Sequence, residues 1–138
     1  MSDLKRISIS LEEGLLERFD RQVERQGYPT RSEAIKALMR QSLIETEWEG
    51  NEEVAGAISI VFDHHRRGLT NKIMDVQHDS GPLVVSTQHV HLDHDHCLEI
   101  VVVRGKAGRI RELAAALRSL KGIKHSALVM STSGRHEH

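Results

Sequence analysis

The chain has 138 residues, one cysteine, ten histidines and a formal charge of −1 with histidine neutral, so it is one domain or two small ones without a global bias toward nucleic acid or membrane. Its single thiol excludes an internal disulfide, and no apolar run approaches the ~20 residues of a membrane span. Met1–Ser10 lacks the apolar core of a secretory signal, and a free thiol fits a reducing cytoplasm.

Leu4–Leu11 alternates. Ile7, Ile9 and Leu11 face one way, and Arg6, Ser8 and Ser10 the other, which predicts a β-strand. Ser10-x-x-Glu13 reads as a capping box that opens a helix carrying Leu15, Leu16, Phe19 and Val23 on one stripe. Gly27 ends it and Tyr28-Pro29 turns. Thr30-x-x-Glu33 is a second capping box, before a helix with Ala34, Ile35, Leu38, Met39 and Leu43 on its apolar side. A strand and two helices are too few to bury a core alone. Pairing the strand with its copy in a second chain gives a two-stranded ribbon over four helices, and such a ribbon fits the DNA major groove. Arg6, Ser8 and Ser10 then point outward at base edges. The basic footprint is local, because residues 1–45 hold eight basic and eight acidic side chains.

Residues 46–53 are polar and acidic and read as a linker. Beyond them the pattern changes. Val54–Phe62 is a strand and Arg66–Val76 a helix. Leu83–His91 and Cys97–Arg104 are strands, with a turn at Gly105–Gly108 after the second. Ile110–Leu120 is a helix and Ile123–Ser131 a strand. The order β-α-β-β-α-β is the ferredoxin-like plan. The fold class is α+β, with a β-α-α unit over 1–45, a β-α-β-β-α-β domain over 54–132 and a disordered tail over 133–138.

His89 and His91 share one face of a strand, and Cys97 starts the next. Two imidazoles and a thiolate suit a borderline-soft divalent metal, and His78, from this chain or a neighbour, is the natural fourth ligand. Spacing alone leaves Zn(II), Ni(II) and Cu(II) open. Four protein ligands argue against a metallohydrolase, which needs an open coordination position; the chain reads as no enzyme. His94, His96, His125, His136 and His138 read as solvated surface residues, with weaker metal sites as the alternative.

The first segment, with Gly27 and Arg31-Ser32-Glu33-Ala34, resembles the ribbon-helix-helix DNA-binding proteins. The resemblance implies that the second helix's N-terminus holds a backbone phosphate near Arg31 and Ser32. With Gln77-His78, His89-Val90-His91 and His96-Cys97-Leu98-Glu99, nearly the whole chain resembles the nickel-responsive regulators, the NikR family. This implies one Ni(II) per subunit in a square plane, bound by His89, His91 and Cys97 of one subunit and His78 of another. It also implies a homotetramer built on ACT-like domains, nickel-dependent repression at a palindromic operator, and control of nickel uptake. Arg66 and Arg67 are expected at DNA phosphates outside the operator bases, and Glu99 behind a ligand histidine. An interdomain potassium site would use Glu33, but Ala37 stands where a second carboxylate is expected. A regulator answering copper or a small molecule, or a metal storage or delivery protein, are the competing readings.

Overall fold

A computed structural model of the chain describes residues 3–134. It divides into two compact units, Met1–Arg40 and Gln41–His138.

In the first unit, residues 3–12 carry no regular secondary structure in the single chain. Ile7 and Ile9 are 74 % and 65 % exposed. A strand is defined by its ladder, and the alternating segment has no second strand within its own chain to pair with. Helix α1 spans Glu13–Gln26. Its N-cap position is Glu12, without a side-chain cap, so the capping box expected from Ser10 does not form. The helix starts two residues too late for Ser10 to be its N-cap, and Glu13 favours the helix dipole instead. At the other end Gly27 takes φ +77. The Gly27 amide donates to Glu24 O and the Tyr28 amide to Val23 O, which is the Schellman closure.

Helix α2 spans Arg31–Glu49. Thr30 Oγ1 accepts the Glu33 amide at 3.1 Å, so half of the second capping box forms. The other half does not, because the Glu33 carboxylate takes Lys36 Nζ at 3.1 Å. Residues 46–49, expected in a polar linker, are the last turn of α2. Trp48 there is 1 % exposed, in the core of the second unit. Its indole donates to Ser131 O at 2.9 Å, and the Arg111 guanidinium lies 5.6 Å from its ring centroid. A β-carbon on Gly56 would stand 3.4 Å from that ring, an ordinary contact, but only 2.6 Å from Val129 O, so the close approach of that backbone carbonyl requires glycine there.

The second unit continues with β1 (Glu53–Asp63), α3 (Leu69–Asp79), a 3₁₀ turn at Gly81–Leu83, β2 (Val84–His91), β3 (His96–Lys106), α4 (Ala107–Ser119) and β4 (Ile123–Met130). The sheet is antiparallel in the order β2-β3-β1-β4. Along β1 every second residue from Val54 to Phe62 is buried. With Val101 and Val103 of β3 these residues pack against Leu69 and Ile73 of α3 and Ile110, Leu113 and Leu117 of α4 in one aliphatic core. Two boundaries differ from expectation. Helix α3 begins at Leu69, behind Gly68 at φ +80, so Arg66 and Arg67 lie in the preceding turn. There is also no separate turn at 105–108, because β3 runs to Lys106 and α4 starts at Ala107. The cap of α4 comes from afar: Asn51 Oδ1 accepts the Gly108 amide at 2.7 Å, and Glu52 O accepts the Ala107 amide at 3.0 Å. At the C-terminus, Ser131 N donates to Ala55 O and Ser133 Oγ to Glu53 O, so the start of the expected tail is tied to β1.

Candidate functional site

The β2–β3 hairpin sets the register of the site. His91 pairs with Cys97 and His89 with Glu99, so all four side chains lie on the face that carries the helices. Cys97 is fully buried. Its Sγ lies 3.3 Å from His91 Nδ1 and 3.3 Å from His64 Nδ1. The ring centroids of His89 and His91 are 5.2 Å apart, as are those of His64 and His91.

Behind His89 is a polar chain. Its Nδ1 is 3.3 Å from Glu99 Oε1. Glu99 is 8 % exposed, and its Oε2 accepts Gln77 Nε2 at 2.8 Å. Thr87 Oγ1 in turn donates to Gln77 Oε1 at 2.9 Å. Strand β2 and the end of α3 therefore meet through one carboxylate. With Nδ1 directed at Glu99, His89 presents Nε2 as its free ligand atom.

The structure treats the expected ligands unequally. Around the sulfur, the ligand atoms that all lie within 4.8 Å of one another are those of His64, His91 and Cys97. His89 stands beside His91, held by Glu99, and His78 is exposed on α3. His64 was not expected at the sulfur. The signal for it was present: the buried parity Val54, Gly56, Ile58, Ile60, Phe62 continues to residue 64, which puts that imidazole on the face of Cys97.

Electrostatics keep the sulfur protonated in the free protein. Burial pushes the Cys97 thiol up, and the charges of Asp63, Glu99 and Asp93 push the same way. Burial lowers His64, as do the neighbouring His65 and His91, so this imidazole is held neutral. A buried thiol with neutral nitrogen beside it suits a divalent cation, which supplies the charge that the thiolate needs. With metal–sulfur and metal–nitrogen bonds of ~2.3 and ~2.0 Å, two ligand atoms on one ion are ~3.0 Å apart at a right angle and ~3.5 Å apart at the tetrahedral angle. The 3.3 Å between Sγ and His91 Nδ1 lies between these, so the residues fit an ion without selecting its geometry.

The other histidines are at the surface. His65, His94 and Asp95 form an exposed group. His96 Nδ1 is 3.0 Å from Asp93 Oδ1, and His125 is exposed. His136 and His138 lie outside the described residues. Among the expected DNA contacts, Arg6, Ser8, Ser10, Ser32, Arg66 and Arg67 are all exposed. Arg31 is exposed but engaged: its guanidinium makes a bidentate pair with Asp20 at 2.9 and 2.8 Å, joining α1 to the start of α2. That pairing holds the Asp20 carboxyl below the usual carboxylate range.

Residues 55–131 match the family model described as the NikR C terminal nickel binding domain. Residues 5–46 match the ribbon-helix-helix protein, copG family. A protein of Syntrophus aciditrophicus that carries the name nickel-responsive regulator is 50 % identical over 135 residues, 98 % of each chain. One of Pyrococcus abyssi with the same name is 51 % identical over 134 residues, 96 % of this chain and 97 % of that one. Among solved structures, an uncharacterized protein of Thermotoga maritima superposes on 57 % of this chain and 98 % of its own, with a TM-score of 0.52 and 14 % identity, a likeness of fold alone.

Proposed function

Because the chain belongs to the nickel-responsive regulator family, with a ribbon-helix-helix domain followed by an ACT-like nickel-binding domain, we propose that it is a nickel-dependent repressor of transcription in the cytoplasm. Its C-terminal domain takes one Ni(II) per subunit through His89, His91 and Cys97, with His78 supplied by another subunit. The loaded protein binds a palindromic operator through Arg6, Ser8 and Ser10 of a paired ribbon and represses genes of nickel uptake.

The observation that carries the metal assignment is the register of β2 on β3, which aligns His91 with the buried thiol of Cys97 and His89 with Glu99. The ion supplies positive charge that stabilises the thiolate. The protein's residues do the rest: Glu99 orients His89 through Nδ1, and His64 lies against the sulfur beside His91. The exposure of His78 leaves it accessible to a neighbouring subunit.

Two apolar surfaces support assembly from further copies. In the first unit, a groove of about 490 Å³ is lined by Ile9, Leu11, Leu15, Leu16, Phe19, Ile35 and Leu38, with Arg31 beside them. A second ribbon-helix-helix copy would fill it, and the extended residues 3–12 would gain their strand partner. On the open face of the C-terminal sheet Val102 and Val129 are 38 % and 59 % exposed, which fits a dimer of dimers built on these domains. The interdomain cation has less support, because the Glu33 carboxylate is paired with Lys36 and residue 37 is alanine.

The test is a titration of the metal-free protein with Ni(II), read by near-ultraviolet absorption. A sulfur-to-nickel band saturating at one ion per chain, absent in Cys97→Ala and weakened in His89→Ala, is the expected result. A band that survives loss of Cys97 refutes the assignment.

A further inference from the structure

We propose that His64, His91 and Cys97 make a second coordination mode at the same sulfur, closed within one subunit, which takes zinc or another divalent ion without a preference for the square plane. The inference rests on the nickel reading above and adds His64 to it as a residue that decides which metal is sensed. Both modes need Cys97, so only one can be occupied at a time.

The sheet register puts an imidazole on each flank of the thiol. Strand β3 runs between β2 and β1. Cys97 pairs with His91 of β2 on one side and with Phe62 of β1 on the other. Two residues beyond Phe62, the His64 amide donates to Asp95 O at 3.2 Å, which carries the contact of β1 with β3 past the end of the strand and keeps His64 beside the sulfur. Each Nδ1 lies 3.3 Å from Sγ. A thiol has one proton, so it donates to only one of the two nitrogens, and the other must give its own N–H to the sulfur. An ion that replaces these protons takes the thiolate and both nitrogen lone pairs at once.

His89 stands outside this set. Its Nδ1 is directed at Glu99, and its ring meets those of His91 and Phe62. The sulfur and His91 can therefore be completed from either of two sides, and the ion's electronic preference decides which. Square-planar Ni(II) recruits His89 and, from another subunit, His78. Zn(II) has no such preference and takes donors where they stand. His64, His91 and Cys97 fill three of its positions, and the exposed side at His91 leaves the fourth to water. All three residues belong to one chain, so an ion held this way makes no link between subunits, whereas the nickel set ties two together through His78.

The test uses the metal-free full-length protein and Co(II), whose visible bands are intense in a tetrahedral site, with Zn(II) added to displace it. The wild-type protein is expected to show these bands. His64→Ala should lose them and His78→Ala should keep them. Competition between Ni(II) and Zn(II) should shift in opposite directions, with the preference for nickel raised in His64→Ala and lowered in His78→Ala. His64→Asn removes the imidazole but keeps a polar side chain in the turn, and should match His64→Ala even where alanine impairs folding. Absence of tetrahedral bands in the wild-type protein, their persistence without His64, or their loss with His78 overturns the proposal while the nickel site stands. A nickel band that survives Cys97→Ala overturns the nickel reading itself, and with it the competition for one sulfur.

Discussion

Replacing Glu99 isolates the charge behind the metal site. In the wild-type protein its Oε1 faces His89 Nδ1 at 3.3 Å and its Oε2 accepts Gln77 Nε2 at 2.8 Å, with only 8 % of the residue exposed. Glu99→Gln keeps the shape. Its amide oxygen still accepts from His89, Gln77 flips its own amide to oppose the new donor, and the Thr87 hydroxyl rotates to accept. The hydrogen-bonded chain survives, and what disappears is the negative charge that makes His89 a better donor to a cation. Partners of this kind are worth roughly 10–100-fold in metal affinity. The isosteric change belongs near ~10-fold, about 1.4 kcal/mol. Glu99→Ala leaves both His89 Nδ1 and Gln77 without their acceptor and belongs nearer ~100-fold. The assay is nickel competition against a chelator at fixed pH, with the stability of each metal-free variant measured alongside. An affinity for nickel unchanged within twofold in Glu99→Gln would refute the reasoning, since His89 would then not be a ligand tuned through this carboxylate.

Further outcomes follow from other parts of the structure. Trp48→Ala removes a buried indole and its bond to Ser131, and should destabilise the C-terminal unit by ~3–5 kcal/mol in urea unfolding; a loss under ~1 kcal/mol would mean that the last turn of α2 is not part of that core. Acid should destabilise the metal-free protein in two stages. His64 is lowered by burial, so the unfolded chain binds the extra proton first and stability falls as pH drops below the ordinary imidazole value of ~6.5. Asp20, Asp63 and Asp93 are lowered by hydrogen bonds from Arg31, the His65 amide and the Asp95 and His96 amides, so their contribution is complete above ~3.9 and is lost below it. His64→Ala should erase the first stage in pH-dependent melting, and its persistence would contradict the assignment. Because the Cys97 thiol is pushed up, nickel binding near neutral pH should release one proton per ion, measurable by calorimetry in buffers of different ionisation enthalpy and absent in Cys97→Ala.

Much of this protein is legible from periodicity. The apolar run of β1 and the helical spacing of α1, α2 and α4 were enough to place each element. The misplaced boundaries share a cause: partners distant in sequence decided them. Asn51 caps α4 across 57 residues, so β3 runs into the helix without the expected turn. Trp48 looked like part of an acidic linker because its acidic neighbours carry the local pattern, whereas its indole is bound to Ser131. Ser10 had the right spacing for a cap, but the helix starts at Glu13. The strand expected over Leu4–Leu11 needs a partner that a single chain does not contain. At the site, the two-residue spacing of His89 and His91 and the lone thiol pointed to metal chemistry directly. His64 did not stand out, since it lies in the turn after β1 and its contact with Cys97 depends on the pairing of β1 with β3.

The central claim is that nickel governs DNA binding. The most direct measurement incubates the protein with fragmented DNA of its own genome, with Ni(II) or with a chelator, and sequences what it retains. The account predicts a small set of fragments sharing an inverted repeat, retained with nickel and lost with chelator. Retention of the same fragments in both conditions, or of no shared sequence in either, would contradict it.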